Sequence, residues 1–478
     1  MPNQQSASLM DAFERALEKI LARVSVLTAT DTSFEQTQPS ATPNAFAVAY
    51  SGGLDSAALL YLAHAYAVAH GIKLFAFHVH HGISPNADTW LTHCEKECTR
   101  LGIRFDARRV TLIERDRDGV EQAARVHRYA ALGDLCRVHE VPLFLTAHHQ
   151  DDQAETLLLQ LLRGSGVAGL SGMEQANTAS GLLGDADLII GRPLLEISRT
   201  ELEQFVAQRN IPHVEDESNT DVRFARNALR HKIMPSFSEY FPGFQQRLAR
   251  TAQHAQSARR LLNELGGQDL AVCMEAECID IGRLKELSPD RIDNLLRYWF
   301  ALHDIRMPST AWLSEMREQL LDAREDAQIR VTHVDCEIRR HRDKVFLTPR
   351  RNDADLNVCP MVFRWNGEAQ MSFPAYGGCL YFDQAEDGLD ATWLHKQELL
   401  IRHRSGGERL KPAHNRPTKS LKHHYQTLNI PAWERLRLPV VTTVKNQLLF
   451  AAGIGMNWHD VPLITGKAIR MRWEKELP

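Results

Sequence analysis

The amino-acid sequence predicts an α/β protein whose N-terminal half is a parallel, doubly wound sheet. Strand-like and helix-like segments alternate from Phe46 onward, as they do when each helix carries the chain back to start another parallel strand. A polar, glycine-containing turn joins the first strand to the first helix, and further polar motifs follow later strands, at the edge where such sheets bind ligands. Beyond Pro235 the pattern changes, and we expect a mostly helical middle domain followed by a small α+β domain.

These segments divide the chain into an N-terminal helix with a flexible lead-in (1–44), the α/β domain (45–235), the helical domain (236–350) and a basic α+β domain (351–478). The strands predicted for the α/β domain are Phe46–Tyr50, Lys73–Val79, Arg104–Val110, Leu143–Ala147 and Leu188–Ile190. The helices predicted between them are Asp55–His70, Asp88–Leu101, Val120–His139, Asp151–Arg163 and Arg199–Asn210. The remaining predicted segments are an amphipathic helix (Leu9–Val26), a Thr/Ser/Gln/Pro-rich lead-in (Thr28–Asn44), a surface insertion (Glu174–Asp187), later helices (Phe241–Leu265, Leu284–Leu302, Pro308–Asp322) and short strands (Ile329–Val334, Glu337–Arg342, Lys344–Leu347, Leu399–His403, Gln447–Ala452).

The composition is that of a globular protein with ordinary cores. The 478 residues are enough for roughly two to four domains, and 44% of them are hydrophobic. The net charge of −4 excludes a wholly basic coat for nucleic acid, so any such contact must come from local patches. Eight cysteines without a C-x-x-C pair, no signal peptide and no apolar stretch that could span a bilayer predict a reduced, cytoplasmic protein without membrane contact. The sequence is compatible with a homodimer.

The turn after the first strand has the features of a phosphate-binding loop. Its residues are Ser51, Gly52, Gly53, Leu54, Asp55 and Ser56. The glycines let backbone N–H groups approach an anion, the serines add hydroxyl donors, and the following helix presents its positive N-terminal end. A carboxylate beside phosphates is repelled unless a cation lies between them, so Asp55 predicts Mg²⁺. The alternative is a tight connection without a ligand; the Walker A and Rossmann patterns are absent.

Two groups of potential metal ligands are better explained as structure. His78, His80 and His81 lie at a strand end, where alternation sends neighbouring side chains to opposite faces, and no Glu or Cys stands at metal spacing. Cys94 and Cys98 are four apart on a helix, where a core-facing pair is the expected arrangement. A metal site is the alternative in both cases.

Three charged helix faces are candidates for substrate contact. Arg125 lies near the start of a predicted helix beside the nucleotide loop, where it could hold phosphate or offset charge on the leaving pyrophosphate; a solvated face is the alternative. Asp152 and Glu155 share one face at a helix start and require a cation, either Mg²⁺ or an amine, unless they act only as caps.

The third candidate face is basic. Arg223, Arg226 and Arg230 are spaced three and four apart, which suits a phosphate backbone as well as a solvated helix face. A second basic region runs from Ile401 to Arg437. It contains nine Lys or Arg and only two Glu, although the whole protein has a net negative charge.

SGGLDS alone resembles the pyrophosphate-binding loop of N-type ATP pyrophosphatases, which cleave ATP between the α and β phosphates and adenylate a substrate. Over Phe46–Pro235 the chain resembles the bacterial tRNA(Ile)-lysidine synthetase family in six motifs. In order they are SGGLDS, HVHHGISPNADTW, GVEQAARVHRYAAL, AHHQDDQAETLLLQLLRGSGVAGLSGM, RPLLEISR and EDESNTDVRFARNALRHKIMP. Related tRNA thiolases typically carry cysteine pairs, which this sequence lacks.

The resemblance implies an activity and its partners. An enzyme of this family uses ATP to adenylate the C2 carbonyl oxygen of the wobble cytidine in a tRNA(Ile) with a CAU anticodon. The ε-amine of L-lysine then displaces AMP to give lysidine, which pairs with A instead of G. Under this resemblance Asp152 and Glu155 would bind the lysine ammonium. The chemistry of the residues is consistent with the reaction: Asp55 can hold Mg²⁺ against the pyrophosphate and Arg125 can offset charge at the α-phosphate. We further infer that one of the two carboxylates accepts the ammonium's proton.

The resemblance also implies that tRNA is contacted by the middle domain (236–350) and by two sets of named residues. The residues expected to bind tRNA are Arg223, Arg226, Asn227 and Arg230 near the α/β domain's end, and Arg404, Arg409, Lys411, Lys419 and Lys422 in the C-terminal module. Two other classes of function fit part of the sequence: a small-molecule ligase would share the loop but not need the basic regions, and a non-catalytic RNA-binding protein would not need Asp55, Asp152 and Glu155.

Overall fold

The computed structural model describes residues 2–29, 43–80, 82, 84–110, 120–178, 183–184, 187–215, 221–324, 329–350, 358–459 and 466–475. The chain forms two compact units, an N-terminal unit (Met1–Gln268) and a C-terminal unit (Asp269–Pro478). Within the described ranges, no helix is both long enough and apolar enough to span a membrane.

The N-terminal unit has the predicted alternation of helices and strands. Its helices are α1 (Pro2–Ala29), α2 (Leu54–His70), α3 (Ala87–Leu101), α4 (Val120–Val138), α5 (Gln150–Leu162), α6 (Val167–Leu170), α7 (Arg199–Gln208), α8 (Ala225–Ala228), a π-helical turn (Leu229–Ile233), α9 (Met234–Tyr240) and α10 (Phe244–Cys273), which continues across the boundary between the units. Its strands are β1 (Ala45–Ala49), β2 (Lys73–His80), β3 (Arg104–Arg109), β4 (Leu143–Leu145), β5 (Ala176–Thr178) and β6 (Ile189–Gly191).

The strands form one sheet in the order β3-β2-β1-β4-β6-β5. Every pairing in it is parallel except β5 with β6, which confirms the predicted parallel α/β domain. Because parallel strands all end at the same edge, the residues that follow β1, β2, β4 and β6 meet there. β4 is shorter than predicted, since the chain leaves the ladder after Leu145 to form the site described below.

Helix α1 belongs to the core of the N-terminal unit. Phe13, Leu17 and Ile20 are buried in the same cluster as Val48 of β1 and Ile189 of β6. The apolar stripe predicted for an amphipathic helix is therefore covered by the sheet and its helices. The predicted lead-in Thr28–Asn44 lies mostly outside the described residues.

The segment Glu174–Asp187 is more than the surface insertion that we predicted. Ala176–Thr178 adds the antiparallel edge strand β5 to the sheet. Ala176 and Leu183 are buried, and this burial holds the described parts of the segment on the domain.

The C-terminal unit contains a helical module with a small sheet, followed by an α+β module, in agreement with the predicted fold class. Its helices are α11 (Ile281–Lys285), α12 (Pro289–Leu302), α13 (Thr310–Asp322), α14 (Ala391–His395), α15 (Leu421–Thr427) and α16 (Ala432–Arg435). Its strands are β7 (Met274–Glu275), β8 (Cys278–Asp280), β9 (Arg330–Thr332), β10 (Cys336–His341), β11 (Lys344–Pro349), β12 (Met361–Phe363), β13 (Gln370–Phe373), β14 (Gly378–Ala385), β15 (Leu389–Asp390), β16 (Leu399–His403), β17 (Arg409–Leu410), β18 (Lys419–Ser420), β19 (Pro439–Thr443), β20 (Leu448–Ala451), β21 (Gly455–Met456) and β22 (Ala468–Lys475).

The helical module packs α12 and α13 on the sheet β7-β8-β11-β10-β9, and the last module contains the sheets β12-β16-β19-β20-β21 and β13-β14-β22-β15. Trp433 of α16 joins the two modules. Its ring packs edge-on against His341 and Phe346, and the guanidinium of Arg339 lies 5.1 Å from its centre.

Candidate active site

The Ser51–Ser56 loop connects β1 to the N-terminus of α2. Gly53 is the N-cap of this 17-residue helix, and no side chain caps it, so backbone N–H groups at the helix start remain available for an anion. The Ser51 and Ser56 hydroxyl oxygens lie 3.0 Å apart, and the Ser56 hydroxyl donates to the Gly53 carbonyl at 2.9 Å. The loop therefore has the donors and helix end expected of a phosphate site.

Gly52 is the residue in the loop that only glycine can supply. Its φ of +89° is unfavourable for any residue with a Cβ. A Cβ there would also lie 3.0 Å from Cys94 Sγ and 3.1 Å from Val214 Cγ2. Cys94 and Cys98 are both buried, as predicted for a core-facing pair, and Cys94 forms the floor beneath the loop.

His149, which is fully buried, links the loop to the anionic helix start at α5. Its Nε2 atom lies 3.7 Å from Asp55 Oδ2 and 3.4 Å from Asp152 Oδ2. His149 is the N-cap of α5. Its side chain accepts a hydrogen bond from the Asp152 backbone N–H, and its backbone N–H donates to Asp152 Oδ2 at 3.1 Å. Burial alone would lower the pKa of His149, but the neighbouring carboxylates outweigh it and the pKa is raised.

Asp55 has the properties of a ligand for a bridging cation. Its Oδ1 atom is buried and has no hydrogen-bond partner among the described residues. Those residues contain no group of three or more His, Cys, Asp or Glu side chains arranged to hold a metal ion. A divalent ion at Asp55 would therefore need phosphate oxygens and water as its other ligands, the arrangement that Mg²⁺ usually takes beside a nucleotide.

Asp152 and Glu155 lie against two arginines. Arg226 Nε donates to Glu155 Oε2 at 2.7 Å and its Nη2 donates to Asp152 Oδ1 at 3.0 Å. Arg230 repeats the pattern, with Nε 2.6 Å from Glu155 Oε1 and Nη2 3.0 Å from Asp152 Oδ1. Each guanidinium thus bridges both carboxylates.

The ionisation of this cluster follows from its contacts. Burial alone would raise the pKa of Asp152, but His149 and Arg226 hold it at about 2. Burial alone would lower the pKa of Arg230, but Glu155, Asp152 and Asp55 outweigh it, and the pKa is raised. Asp152 is therefore ionised at neutral pH, and the field of Asp55 reaches the same cluster.

The predicted basic stripe is split by this pairing. Arg226 and Arg230 turn toward the carboxylates because Glu155 is fully buried and needs positive partners. Arg223 precedes α8, is largely exposed and pairs with Asp221. The three arginines therefore do not form one outward-facing row: Arg226 and Arg230 point together at the carboxylates, and Arg223 lies apart, before the helix begins.

Arg125 lies on an exposed part of α4, where its guanidinium is 5.0 Å from the centre of the Tyr129 ring. Burial lowers the pKa of His148, just after β4, to about 3, and the charges of Arg192, Arg226 and, least of all, Arg125 act in the same direction. Among the described residues Arg125 forms no ion pair.

Two site residues were not singled out from the sequence. His149 was read only as part of a motif, although its place directly after β4 and before two aspartates is a usable signal. Arg192 follows β6 at the same edge, is buried, and donates through Nη1 to Asn177 Oδ1 at 2.6 Å and to the Glu174 carbonyl at 2.8 Å. Its Nε atom is buried without a partner in the described part of the chain.

The C-terminal basic region surrounds a glycine turn. Gly406 and Gly407 have φ of +93° and +83°, and Glu408 accepts from the backbone N–H groups of Ser405 and Gly406 at 2.7 and 2.9 Å. These hydrogen bonds and Arg402 overcome the effect of burial and hold the pKa of Glu408 at about 2. The turn borders a cavity of about 300 Å³ whose lining includes Arg404, Ser420 and Lys422.

Two of the other cations predicted for tRNA contact lie on the short strands β17 and β18, within the basic region. Arg409 lies on β17 and donates to the Thr418 carbonyl at 3.1 Å. Lys419 lies on β18, with its Nζ atom 2.6 Å from His423 Nε2, and the Lys411 backbone N–H donates to Asn457 Oδ1. In the N-terminal unit, Asn227 donates to the Asp221 carbonyl at 3.0 Å.

The parallel sheet and the Ser51–Ser56 loop at its edge are those of a PP-loop protein. Residues 26–237 match a family model described as the PP-loop domain. Residues 279–346 match one described as the TilS substrate binding domain, and residues 399–473 match the TilS substrate C-terminal domain.

Comparison with curated proteins narrows the class to one family. The tRNA(Ile)-lysidine synthase of Burkholderia pseudomallei (strain K96243) is 38% identical over 475 residues, covering 92% of this chain and 94% of that protein. Those of Ralstonia nicotianae (strain ATCC BAA-1114 / GMI1000) and Coxiella burnetii (strain RSA 493 / Nine Mile phase I) are 39% and 37% identical over 88% and 83% of this chain, and 91% and 86% of their own lengths. The chain belongs to the tRNA(Ile)-lysidine synthase family, which confirms the resemblance seen in the sequence.

Proposed function

We propose that this protein joins L-lysine to C2 of the wobble cytidine in a tRNA(Ile) with a CAU anticodon and converts ATP to AMP and pyrophosphate. One observation carries the proposal at the level of structure: His149 lies between Asp55 of the phosphate loop and Asp152 of the carboxylate pair, at 3.7 and 3.4 Å. A site for a leaving pyrophosphate and a site for an amine therefore adjoin at one edge of the sheet. Mg²⁺, a cytoplasmic location and a homodimer are parts of the same proposal.

In the first step the cytidine O2 attacks the α-phosphorus of ATP, and the bond to the β-phosphate oxygen breaks. The loop from Ser51 to Ser56 and the start of α2 bind the departing pyrophosphate through backbone N–H and hydroxyl donors. Asp55 is the residue that would hold Mg²⁺, which when bound neutralises phosphate charge. Arg125 is proposed to approach the α-phosphate from α4.

In the second step the lysine ammonium gives one proton to Glu155 or to water, the neutral ε-amine attacks C2, and AMP leaves with the electron pair of the C2–O bond and takes up the second proton released by the amine nitrogen. Asp152 and Glu155 are proposed to hold the incoming ammonium. Because Arg226 and Arg230 already bridge both carboxylates, lysine must displace or share these contacts. A pKa of about 2 makes Asp152 an electrostatic anchor for the amine and a poor acceptor of its proton.

The tRNA contacts are proposed to come from both units. Arg223 and Asn227 in the N-terminal unit, and the basic region around the Gly406 turn, would hold phosphates and position the RNA without reading its sequence. Arg226 and Arg230 can contact phosphate only when they leave the carboxylates. Arg404, Arg409, Lys411, Lys419 and Lys422 are the proposed contacts in the C-terminal module.

Incubation with radiolabelled lysine, ATP and bulk bacterial tRNA tests the proposal. Label in tRNA, dependent on ATP, is the expected result. Label in a small product would instead indicate a small-molecule ligase, and no transfer with intact tRNA binding would indicate a non-catalytic RNA-binding protein.

A further inference from the structure

We infer that a cleft between α5 and α10 binds an unpaired base of the tRNA, on a nucleotide that flanks the modified cytidine. This inference rests on the proposed function, because it assigns a second contact with the same RNA. The cleft has a volume of about 390 Å³ and lies within the N-terminal unit. Its lining residues are Gln150, Gln153, Met173, Gln175, Leu195, Glu196, Gln246, Ala249, Arg250, Gln253 and Gln256.

The chemistry of the lining matches a nucleobase. Six of the eleven lining residues are glutamines, and one arginine and one glutamate accompany them. A carboxamide presents a donor and an acceptor side by side, as the edge of a base does, and glutamine pairs with adenine in this way in other complexes. Single-stranded RNA loops are read through such contacts to bases that have left the stack.

Part of the lining is fixed before any ligand arrives. The Gln153 side chain accepts from the Met173 N–H and donates to the Met173 carbonyl, both at 2.8 Å. Gln256 donates to the Ser171 carbonyl at 2.9 Å, and Gln253 Nε2 lies 3.4 Å from Glu196 Oε1. The rigid wall means that little side-chain entropy is lost when a base binds.

Other groups in the cleft remain available to a ligand. The side chains of Gln175, Gln246 and Arg250 have no hydrogen-bond or ionic partner within the described ranges. Gln246, Arg250 and Gln253 share one face of α10, since they are spaced four and three residues apart. Gln246 and Gln253 can therefore contact a base while Arg250 contacts the adjoining phosphate.

The cleft and the carboxylate site share the first turns of α5. Gln150 and Gln153 lie on the opposite side of the helix from Asp152 and Glu155, because a rotation of about 100° per residue sets the two pairs roughly 160° apart. Asp151 lies between the two sides, with Oδ1 3.5 Å from Gln245 Nε2 of α10 and Oδ2 3.8 Å from His149 Nδ1. Because a helix is only about 10 Å across, an RNA strand that presents its cytidine to the carboxylates can pass around the start of α5 and bring an adjacent nucleotide to the cleft.

The first test is a double variant, Gln246→Ala with Gln253→Ala, both on exposed positions of α10. We expect KM for tRNA to rise about tenfold, the discrimination of one good base contact, with KM for ATP and lysine unchanged. Gln268→Ala, an exposed glutamine on the same helix outside the cleft, is the matched control. A rise confined to KM for ATP or for lysine would overturn the inference and assign the cleft to that substrate.

The second test places an abasic nucleotide on either side of the target cytidine. For one of the two positions, the wild-type enzyme should lose about tenfold in kcat/KM while the double variant loses little more, because the partner of the missing base is already gone. Multiplicative losses at both positions would overturn the inference. If wild-type protein transfers no lysine to intact tRNA, the proposed function itself fails, whereas an active wild type with an equally active double variant removes only the cleft.

Discussion

The sheet edge of the N-terminal unit and the basic region of the C-terminal module both concentrate charge, but they hold it in different ways. At the edge, Glu155 is buried, Asp152 is partly buried, and each contacts two guanidiniums. In the C-terminal module, Arg409, Lys419 and Lys422 are exposed, and their charges face solvent. Buried charge requires fixed partners, whereas exposed charge is screened, so the two regions should respond very differently to substitution and salt.

The largest effect is expected at the sheet edge, at Asp55. Replacing Asp55 by Asn keeps the side-chain shape but removes the charge facing the proposed cation and pyrophosphate. We expect tRNA-dependent ATP–pyrophosphate exchange to fall by about a thousandfold or more while tRNA binding is unchanged. Asp134→Asn, which removes an exposed carboxylate from α4, is the control and should leave exchange intact. Undiminished exchange in the Asp55 variant would remove Asp55 from the mechanism.

The next largest effect is expected at Glu155. Glu155→Ala leaves Arg226 and Arg230 partly buried without their nearest carboxylate, which should lower the free energy of unfolding by about 3 kcal/mol and abolish lysine transfer. Denaturant unfolding and lysine incorporation measure the two effects. The matched control is Glu203→Ala, which breaks an exposed pair with Arg199 and should cost about 0.5 kcal/mol or less. Equal losses in the two variants would show that burial does not distinguish these ion pairs.

Much of this fold was predictable because its signals are local. The apolar runs of β1 and β2, the turn at Gly52 and the helix starts all lie in contiguous sequence, and the predicted elements of the α/β domain begin within one residue of their expected positions. Outside that domain the agreement is looser: α1 begins at Pro2 instead of Leu9, and α12 at Pro289 instead of Leu284. β5 was missed because its three residues are a strand only through their pairing with β6, which follows eleven or more residues later in the chain. Short strands of this kind are specified by their neighbours more than by their own sequence.

The pairing within the site was not predictable in the same way. Asp152 and Arg226 are 74 residues apart, and a spacing rule sees each only as part of its own helix face. From the sequence, the arginines pointed to phosphate and the carboxylates to an amine. Their contact adds that each group is already neutralised by the other, so both substrate contacts that we propose compete with an internal ion pair.

Measuring the free energy of unfolding as a function of pH tests the carboxylate–arginine cluster at Asp152. Because the pKa of Asp152 is lowered from 3.8 to about 2 in the folded protein, its stabilisation is fully present above about pH 5 and is lost as the pH falls from about 4 to about 2. The unfolding free energies of wild type and Asp152→Asn should thus differ by about 2 kcal/mol near neutrality and converge in acid. Subtracting one unfolding free energy from the other removes the contribution of acidic groups that do not contact Asp152, such as Glu408, because they titrate in both proteins. A gap that stays constant between pH 6 and about pH 3 would contradict the assigned cause.

The smallest effect belongs to the exposed basic region. Lys422→Ala should weaken tRNA binding only about two- to fivefold and reduce the slope of log affinity against log salt by about one, because a phosphate contact releases one counterion. Lys396→Ala, an exposed lysine outside the region, should change neither value. Filter binding at several salt concentrations measures both. A loss of a hundredfold or more that does not depend on salt would mean that Lys422 is held as rigidly as the buried arginines, and the contrast between the two regions would fail.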